Sequence, residues 1–93
     1  MDKKTFIIAD LIEIKQKEAF VLGVGLVDKS MDTKDIVKLK GSDVLVSNGT
    51  DSNQITIIDI QITFSLAGFR NVFLRISCAD FSKVAVGDFI YVS

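Results

Sequence analysis

The sequence contains no histidine, no tryptophan and no proline, and Cys78 is the single cysteine among 93 residues. One cysteine excludes an internal disulfide, and without histidine a tetrahedral zinc site has too few ligands. Histidine is also the most common general base in enzymes. We therefore expect no catalytic residue, no metal ion and no cofactor, and we expect a hydrophobic core to supply the stability.

A strong charge of either sign is also missing. Eleven basic and twelve acidic residues give a formal net charge of −1, without the basic excess typical of proteins that bind a nucleic acid backbone. The apolar run after Lys4 ends at Asp10, which is too short for a signal peptide or a membrane span. We expect a cytoplasmic protein with no membrane partner, and the length predicts one domain over residues 1–93.

What the sequence does contain is two-residue periodicity, most clearly in residues 54–64. There, Ile58, Ile60, Ile62 and Phe64 alternate with polar side chains, which predicts a half-buried strand with those four on one face. Further strands are predicted over about 5–14, 19–28, 43–47, 69–77 and 89–92, and the first two form a hairpin through the polar turn at 15–18.

Six or seven short strands with regularly spaced turns predict an all-β fold. A small closed antiparallel Greek-key barrel fits this pattern, and a sandwich is the alternative. Closure would remove the exposed strand edges that a chain with 48% hydrophobic residues must otherwise protect. Gly23 and Gly25 interrupt the second strand and predict a sharp bend, as at a barrel corner.

The segment at 28–41 has two interpretations. Asp32 and Asp35 suit the first turn of a short helix that ends at Lys40 and Gly41. The β-branched residues Ile36 and Val37 favour a short strand instead, and we favour the strand because the segment is short for a stable helix.

Reactive side chains are few. Cys78 has the same two-residue phase as Val72, Leu74 and Ile76, which predicts a buried and inert thiol. Asp28, Asp32 and Asp35 are carboxylates of the kind that bind Ca²⁺ or Mg²⁺, but the glycine and terminal glutamate of a calcium loop are missing. We expect a solvated turn there and no enzymatic activity.

Phe73 and Arg75 share the opposite phase of the strand at 69–77 and therefore point outward. Aromatic residues and arginine dominate the binding energy of many protein interfaces, so this face is our candidate partner-binding surface. Phe69, Arg70 and Ile57 are expected to widen it, and the alternative is an ordinary surface strand in which Arg75 pairs with a neighbouring acid. This is our first functional hypothesis: a non-enzymatic module that contacts another protein or associates with itself.

Four segments resemble, in order, domain 2 of the translational GTPases, the family of elongation factor Tu. They are residues 8–14, residues 19–27 with Gly23, residues 71–76, and residues 86–90 with Gly87 and Asp88. The resemblance implies a closed β-barrel that serves as a docking surface and, in some family members, helps to hold the aminoacylated end of tRNA. The turn at 15–18 departs from the family's glycine-rich turn.

This resemblance implies a second functional hypothesis, an RNA-contacting or tRNA-contacting module. Lys15 and Lys17 form a basic pair in the first hairpin turn, and with Arg70 they are the candidate phosphate contacts, although a solvated turn is the simpler interpretation of the pair. No Gly-x-x-x-x-Gly-Lys-Ser/Thr motif is present, so we expect no bound nucleotide.

Overall fold

A computed structural model describes residues 3–92, which form seven antiparallel strands in one sheet and two short helices. The elements in chain order are β1 (Lys3–Ile14), β2 (Ala19–Leu26), α1 (Thr33–Val37), β3 (Asp43–Ser47), β4 (Ser52–Thr56), β5 (Asp59–Phe64), β6 (Arg70–Ile76), α2 (Cys78–Phe81) and β7 (Phe89–Val92). The strand order is β4-β3-β7-β1-β2-β6-β5. The all-β prediction is confirmed, but in residues 3–92 no ladder joins β4 to β5, so the sheet is not closed.

The predicted hairpin of β1 and β2 is present, and its two strands pair from Phe6 opposite Leu26 to Ile14 opposite Ala19. The register shifts between Ile8 and Asp10, where β1 carries one extra residue, and such a bulge increases the twist of a strand.

Gly23 allows a side chain of the neighbouring strand to cross β2. A Cβ atom added at Gly23 would lie 3.2 Å from the Cβ of Asp10, and one added at Gly25 would lie 3.3 Å from the Cγ2 of Ile7. Both distances are tighter than ordinary van der Waals contact. The two glycines therefore permit a close approach between β1 and β2.

The predicted strand at 54–64 is divided into β4 and β5, because the chain changes partner at Ile57 and Ile58. The Ile57 N–H donates to the Ser42 carbonyl at 2.9 Å, beside β3, whereas the Ile58 N–H donates to the Arg75 carbonyl at 2.8 Å, on β6. This crossing shifts the alternation by one residue. Ile55 and Ile57 are buried before it, Ile60 and Ile62 pack against the core after it, and Ile58 is 46% exposed.

Residues 33–37 form the helix α1, so the strand that we favoured at this position is wrong. The Asp35 N–H donates to Asp32 Oδ1 at 2.9 Å, and the Asp32 N–H donates to Asp35 Oδ2 at 3.2 Å. This reciprocal capping box satisfies two backbone donors at the helix start and outweighs the strand preference of Ile36 and Val37. The helix buries Ile36 completely and leaves Val37 51% exposed.

The inner faces of the strands meet in one hydrophobic core. Its buried members are Phe6, Ile8, Leu22, Ile36, Leu39, Val44, Val46, Ile55, Ile57, Val72, Leu74, Ile76, Val84 and Ile90. The helix α2 closes one side of this core, where the rings of Phe20 and Phe81 lie 5.1 Å apart.

Cys78 is exposed, which contradicts the buried position that its phase predicted. The strand β6 ends at Ile76, and Ser77 then caps α2 by accepting a hydrogen bond from the Asp80 N–H at 3.1 Å. Two-residue alternation ends where a helix begins, so Cys78 leaves the face of Val72, Leu74 and Ile76.

Candidate interaction surface

Strand pairing brings outward side chains of β1, β2 and β6 into adjacent rows. Ile12 lies opposite Val21, and Val21 lies opposite Arg75 on the next strand. In the neighbouring row Gly23 separates Asp10 from Phe73. Directly opposed side chains in a sheet are in contact range. We name Ile12, Ile14, Val21, Phe73 and Arg75 the outer patch.

The outer patch is apolar except for Arg75 and is partly open to solvent. Ile12 and Ile14 are 36% and 39% exposed, Val21 and Phe73 are half-buried, and Arg75 is exposed. Gly23 has no side chain, and the side chain of Asp10 lies over it, in the same row as Phe73. The patch therefore presents an aromatic ring and aliphatic side chains side by side, with a carboxylate at one edge.

Arg75 has no carboxylate within 4.0 Å among residues 3–92, so it forms no salt bridge there. Asp59 lies opposite Arg75 in the β5–β6 ladder, but its carboxylate accepts from the Ile60 N–H at 2.9 Å and lies 3.5 Å from the Lys40 Nζ. The Ile60 hydrogen bond, and then the charge of Lys40, hold the pKa of Asp59 below its usual value. The charge of Arg75 also lowers the pKa of Asp59, so the two residues interact through space without a direct salt bridge in residues 3–92.

A shallow groove of about 210 Å³ crosses the outer patch. Ile14, Val21 and Phe73 supply apolar lining, and Lys17, Asp59 and Arg75 supply charged lining. A mixture of apolar and charged side chains is usual in protein interfaces.

The other residues predicted for this surface do not join it. Ile57 is fully buried in the core, so its predicted place on the interface is wrong, and the reason is the change of partner strand at that residue. Phe69 is 72% exposed in the loop before β6, and the Arg70 Nη2 donates to the Met31 carbonyl at 3.0 Å. Arg70 lies five residues from Arg75 along β6, which is roughly 16 Å in a strand.

The basic residues predicted for RNA are also separated. Lys15 and Lys17 lie in the short 3-10 turn after β1, next to Glu18. This turn is at the Ile76 end of β6, because Phe20 pairs with Ile76, whereas Arg70 begins the strand. The two sites are therefore about 20 Å apart along the strand.

Sequence reasoning named Phe69 but missed the apolar cluster that it forms with two residues at the end of β5 and in the loop between β5 and β6. Phe64, Leu66 and Phe69 are 62%, 111% and 72% exposed, and we name these three residues the hairpin tip. The signal was present in the sequence, because three large apolar residues within six positions flank Gly68 in a predicted turn. Ile12 and Ile14 were missed as well, since only the strand register places them beside Phe73.

The acidic residues near α1 do not converge on a common centre. Asp28 lies 2.9 Å from the Lys3 Nζ and accepts hydrogen bonds from Ser30, while Asp32 and Asp35 cap α1. The Ser30 hydroxyl and then Lys3 lower the pKa of Asp28 to about 2. In the described residues, no group of three or more acidic, cysteine or histidine side chains is placed to hold a metal ion.

No model of a protein family, no curated protein and no solved structure matches this chain. Within residues 3–92, neither helix has the length and apolar character needed to cross a membrane. The candidate surfaces are therefore identified from geometry alone. The outer patch, centred on Phe73 and Arg75, is the surface whose residues are brought together by the strand register.

Proposed function

We propose that this protein is a non-enzymatic binding module that docks on another protein, or on a second copy of itself, through the outer patch. The observation that carries this proposal is the contiguous row of Ile12, Val21 and Arg75 beside Phe73, in which the arginine forms no salt bridge within residues 3–92. An arginine next to a half-buried aromatic ring is a frequent centre of binding energy.

The outer patch would form the centre of a larger interface. Covering a partly exposed Phe73 and the two isoleucines removes apolar surface from water, and full burial of one such side chain is worth about 1.5–3 kcal/mol. A stable interface covers about 800 Å² on each partner, so the surrounding polar side chains, including Gln61 and Lys17, would form its rim.

We also propose that the sheet is a curled barrel of the kind found in domain 2 of the translational GTPases. Two observations support this. The strands at the ends of the sheet order, β4 and β5, are consecutive in the chain and joined only by Ile57 and Ile58. The segment before β3 also reaches β5 and β6, since Arg70 contacts Met31 and Lys40 contacts Asp59. In that family the barrel is a docking surface, which agrees with a binding role.

The substitution Phe73→Asp tests the docking proposal, with Val37→Asp as a matched control because Val37 is 51% exposed on α1. Light scattering after gel filtration measures self-association, and capture from native lysate by the immobilised protein measures binding to other partners. We expect Phe73→Asp to abolish the association and Val37→Asp to leave it unchanged. A wild-type monomer that retains no partner, or equal behaviour of the two variants, would refute the proposal.

RNA binding is the alternative from the family resemblance, and no observation favours it over protein docking. Lys15 and Lys17 lie at the opposite end of β6 from Arg70, so the three cations do not form one surface. Fluorescence anisotropy with tRNA and single-stranded RNA at low salt checks this interpretation. Binding that disappears in the double substitution Lys15→Ala and Lys17→Ala would support the RNA alternative instead.

A further inference from the structure

The hairpin tip is the most exposed apolar feature of the described chain, and it is separate from the outer patch. Leu66 is 111% exposed, so its side chain is surrounded by solvent, and Phe64 and Phe69 are exposed on either side of it. The six residues 64–69 contain no charged side chain. A fluid lipid layer can surround each of these exposed side chains without a preformed pocket.

The loop also satisfies many of its own polar groups. The Ser65 N–H donates to the Phe69 carbonyl at 2.9 Å, and the Gly68 N–H donates to the Ser65 carbonyl at 2.9 Å. The Phe69 N–H donates to the Ser65 hydroxyl at 3.1 Å. Internal pairing of backbone groups is what a medium poor in water requires, because an unpaired group there has no water to bind.

Two cations lie behind the tip. Lys29 and Arg70 line a groove together with Gly68 and Phe69, and no acidic residue lines that groove. The nearby Asp28 is held by Lys3 and Ser30. Apolar side chains at a tip with cations immediately behind them complement a bilayer that has anionic headgroups above an apolar interior.

A second copy of the chain is a poorer occupant. Taking about 200 Å² for each fully exposed side chain, the three residues of the hairpin tip present roughly 500 Å². Two tips in contact would bury at most about 1,000 Å² in total, which is below the range of stable protein interfaces. Convex surfaces would bury even less of this area.

We propose that the hairpin tip inserts into the interface of an anionic lipid bilayer, with Lys29 facing the headgroups and Arg70, which also donates to the Met31 carbonyl, behind the tip. The sequence expectation of no membrane partner rested on the length of a membrane span, and an interfacial loop does not need that length. This inference is independent of the docking proposal. The hairpin tip lies at the Arg70 end of β6, whereas Phe73 and Arg75 of the outer patch lie further along that strand, toward Ile76.

The absence of tryptophan allows a direct test, because Leu66→Trp becomes the only tryptophan in the chain. Its emission is measured with vesicles of phosphatidylcholine alone and with added phosphatidylserine. Val86→Trp is the matched control, since Val86 is 60% exposed in the turn before β7. Circular dichroism verifies that both variants are folded.

We expect the Leu66→Trp emission to shift to the blue with the anionic vesicles and to be quenched by brominated lipid, while Val86→Trp stays unshifted. Adding Phe69→Asp should abolish the shift, and Lys29→Glu should weaken binding at least about fivefold, from roughly 1 kcal/mol per cation near an anionic surface. No shift, an equal shift in Val86→Trp, or equal binding to neutral vesicles would overturn the proposal. A shift that rises with protein concentration without lipid would also overturn it, by identifying a second copy as the occupant.

Discussion

Because the chain crosses from β4 to β5, substitutions at two neighbouring isoleucines should lower the free energy of unfolding by different amounts. Ile57 is fully buried where the chain leaves β3, and Ile58 is 46% exposed where it joins β6. Replacing either isoleucine by alanine removes the same three carbons. Any difference between Ile57→Ala and Ile58→Ala therefore reports the difference in their surroundings.

The magnitudes follow from burial. Three buried carbons are worth about 2.4 kcal/mol of transfer free energy, and the cavity left by Ile57→Ala raises its cost to about 3–4 kcal/mol. Ile58→Ala loses about half of the transfer free energy and leaves no cavity, so we expect about 1 kcal/mol. A domain of 93 residues has a free energy of unfolding of about 5–14 kcal/mol, so the first variant loses a large share of it.

Urea denaturation followed by far-ultraviolet circular dichroism measures both free energies of unfolding, and thermal melts provide an independent check. We expect the Tm of Ile57→Ala to fall by at least about 12 °C and that of Ile58→Ala by about 4–8 °C. The slope of the free energy of unfolding against urea concentration should be unchanged if both variants unfold in two states. Equal losses, or a larger loss for Ile58→Ala, would show that the crossing does not occur at these residues.

Three further predictions concern groups outside the outer patch. Asp32→Ala should lower the free energy of unfolding by about 1 kcal/mol, because it removes the cap of α1, whereas the exposed Lys34→Ala should have almost no effect in the same urea titration. The pKa of Asp28 is about 2 in the folded protein and 3.8 for the unperturbed side chain, so the stability that Asp28 contributes is complete above about pH 4 and is lost as the pH falls to about 2. Asp28→Asn should flatten this part of the pH dependence of the urea midpoint. An unchanged profile would contradict the stabilising role of the Asp28 carboxylate. The exposed Cys78 should react with a thiol reagent in the folded protein at the rate of the urea-unfolded chain, and protection in the folded state would disagree with its position.

The candidate surface was predictable in part. Alternation along β6 identifies Phe73 and Arg75 as outward residues and Val72, Leu74 and Ile76 as core residues, and the burial of these residues agrees. Their neighbours on other strands could not be predicted, because the distance between Phe73 and Ile12 along the chain says nothing about pairing. Register is a property of two strands and is decided when they meet.

The sequence alone determined the β character of the chain, the first hairpin and the inner face of β6, because side-chain alternation is a local property of an extended backbone. Tertiary structure decided where the alternation changes phase at Ile57, since that depends on which strand the chain joins. It also decided that Lys15 and Lys17 lie far from Arg70, because the β1–β2 turn and the start of β6 are at opposite ends of paired strands. Local pattern thus defines the faces of each strand, whereas the pairing of distant strands defines which residues share a surface.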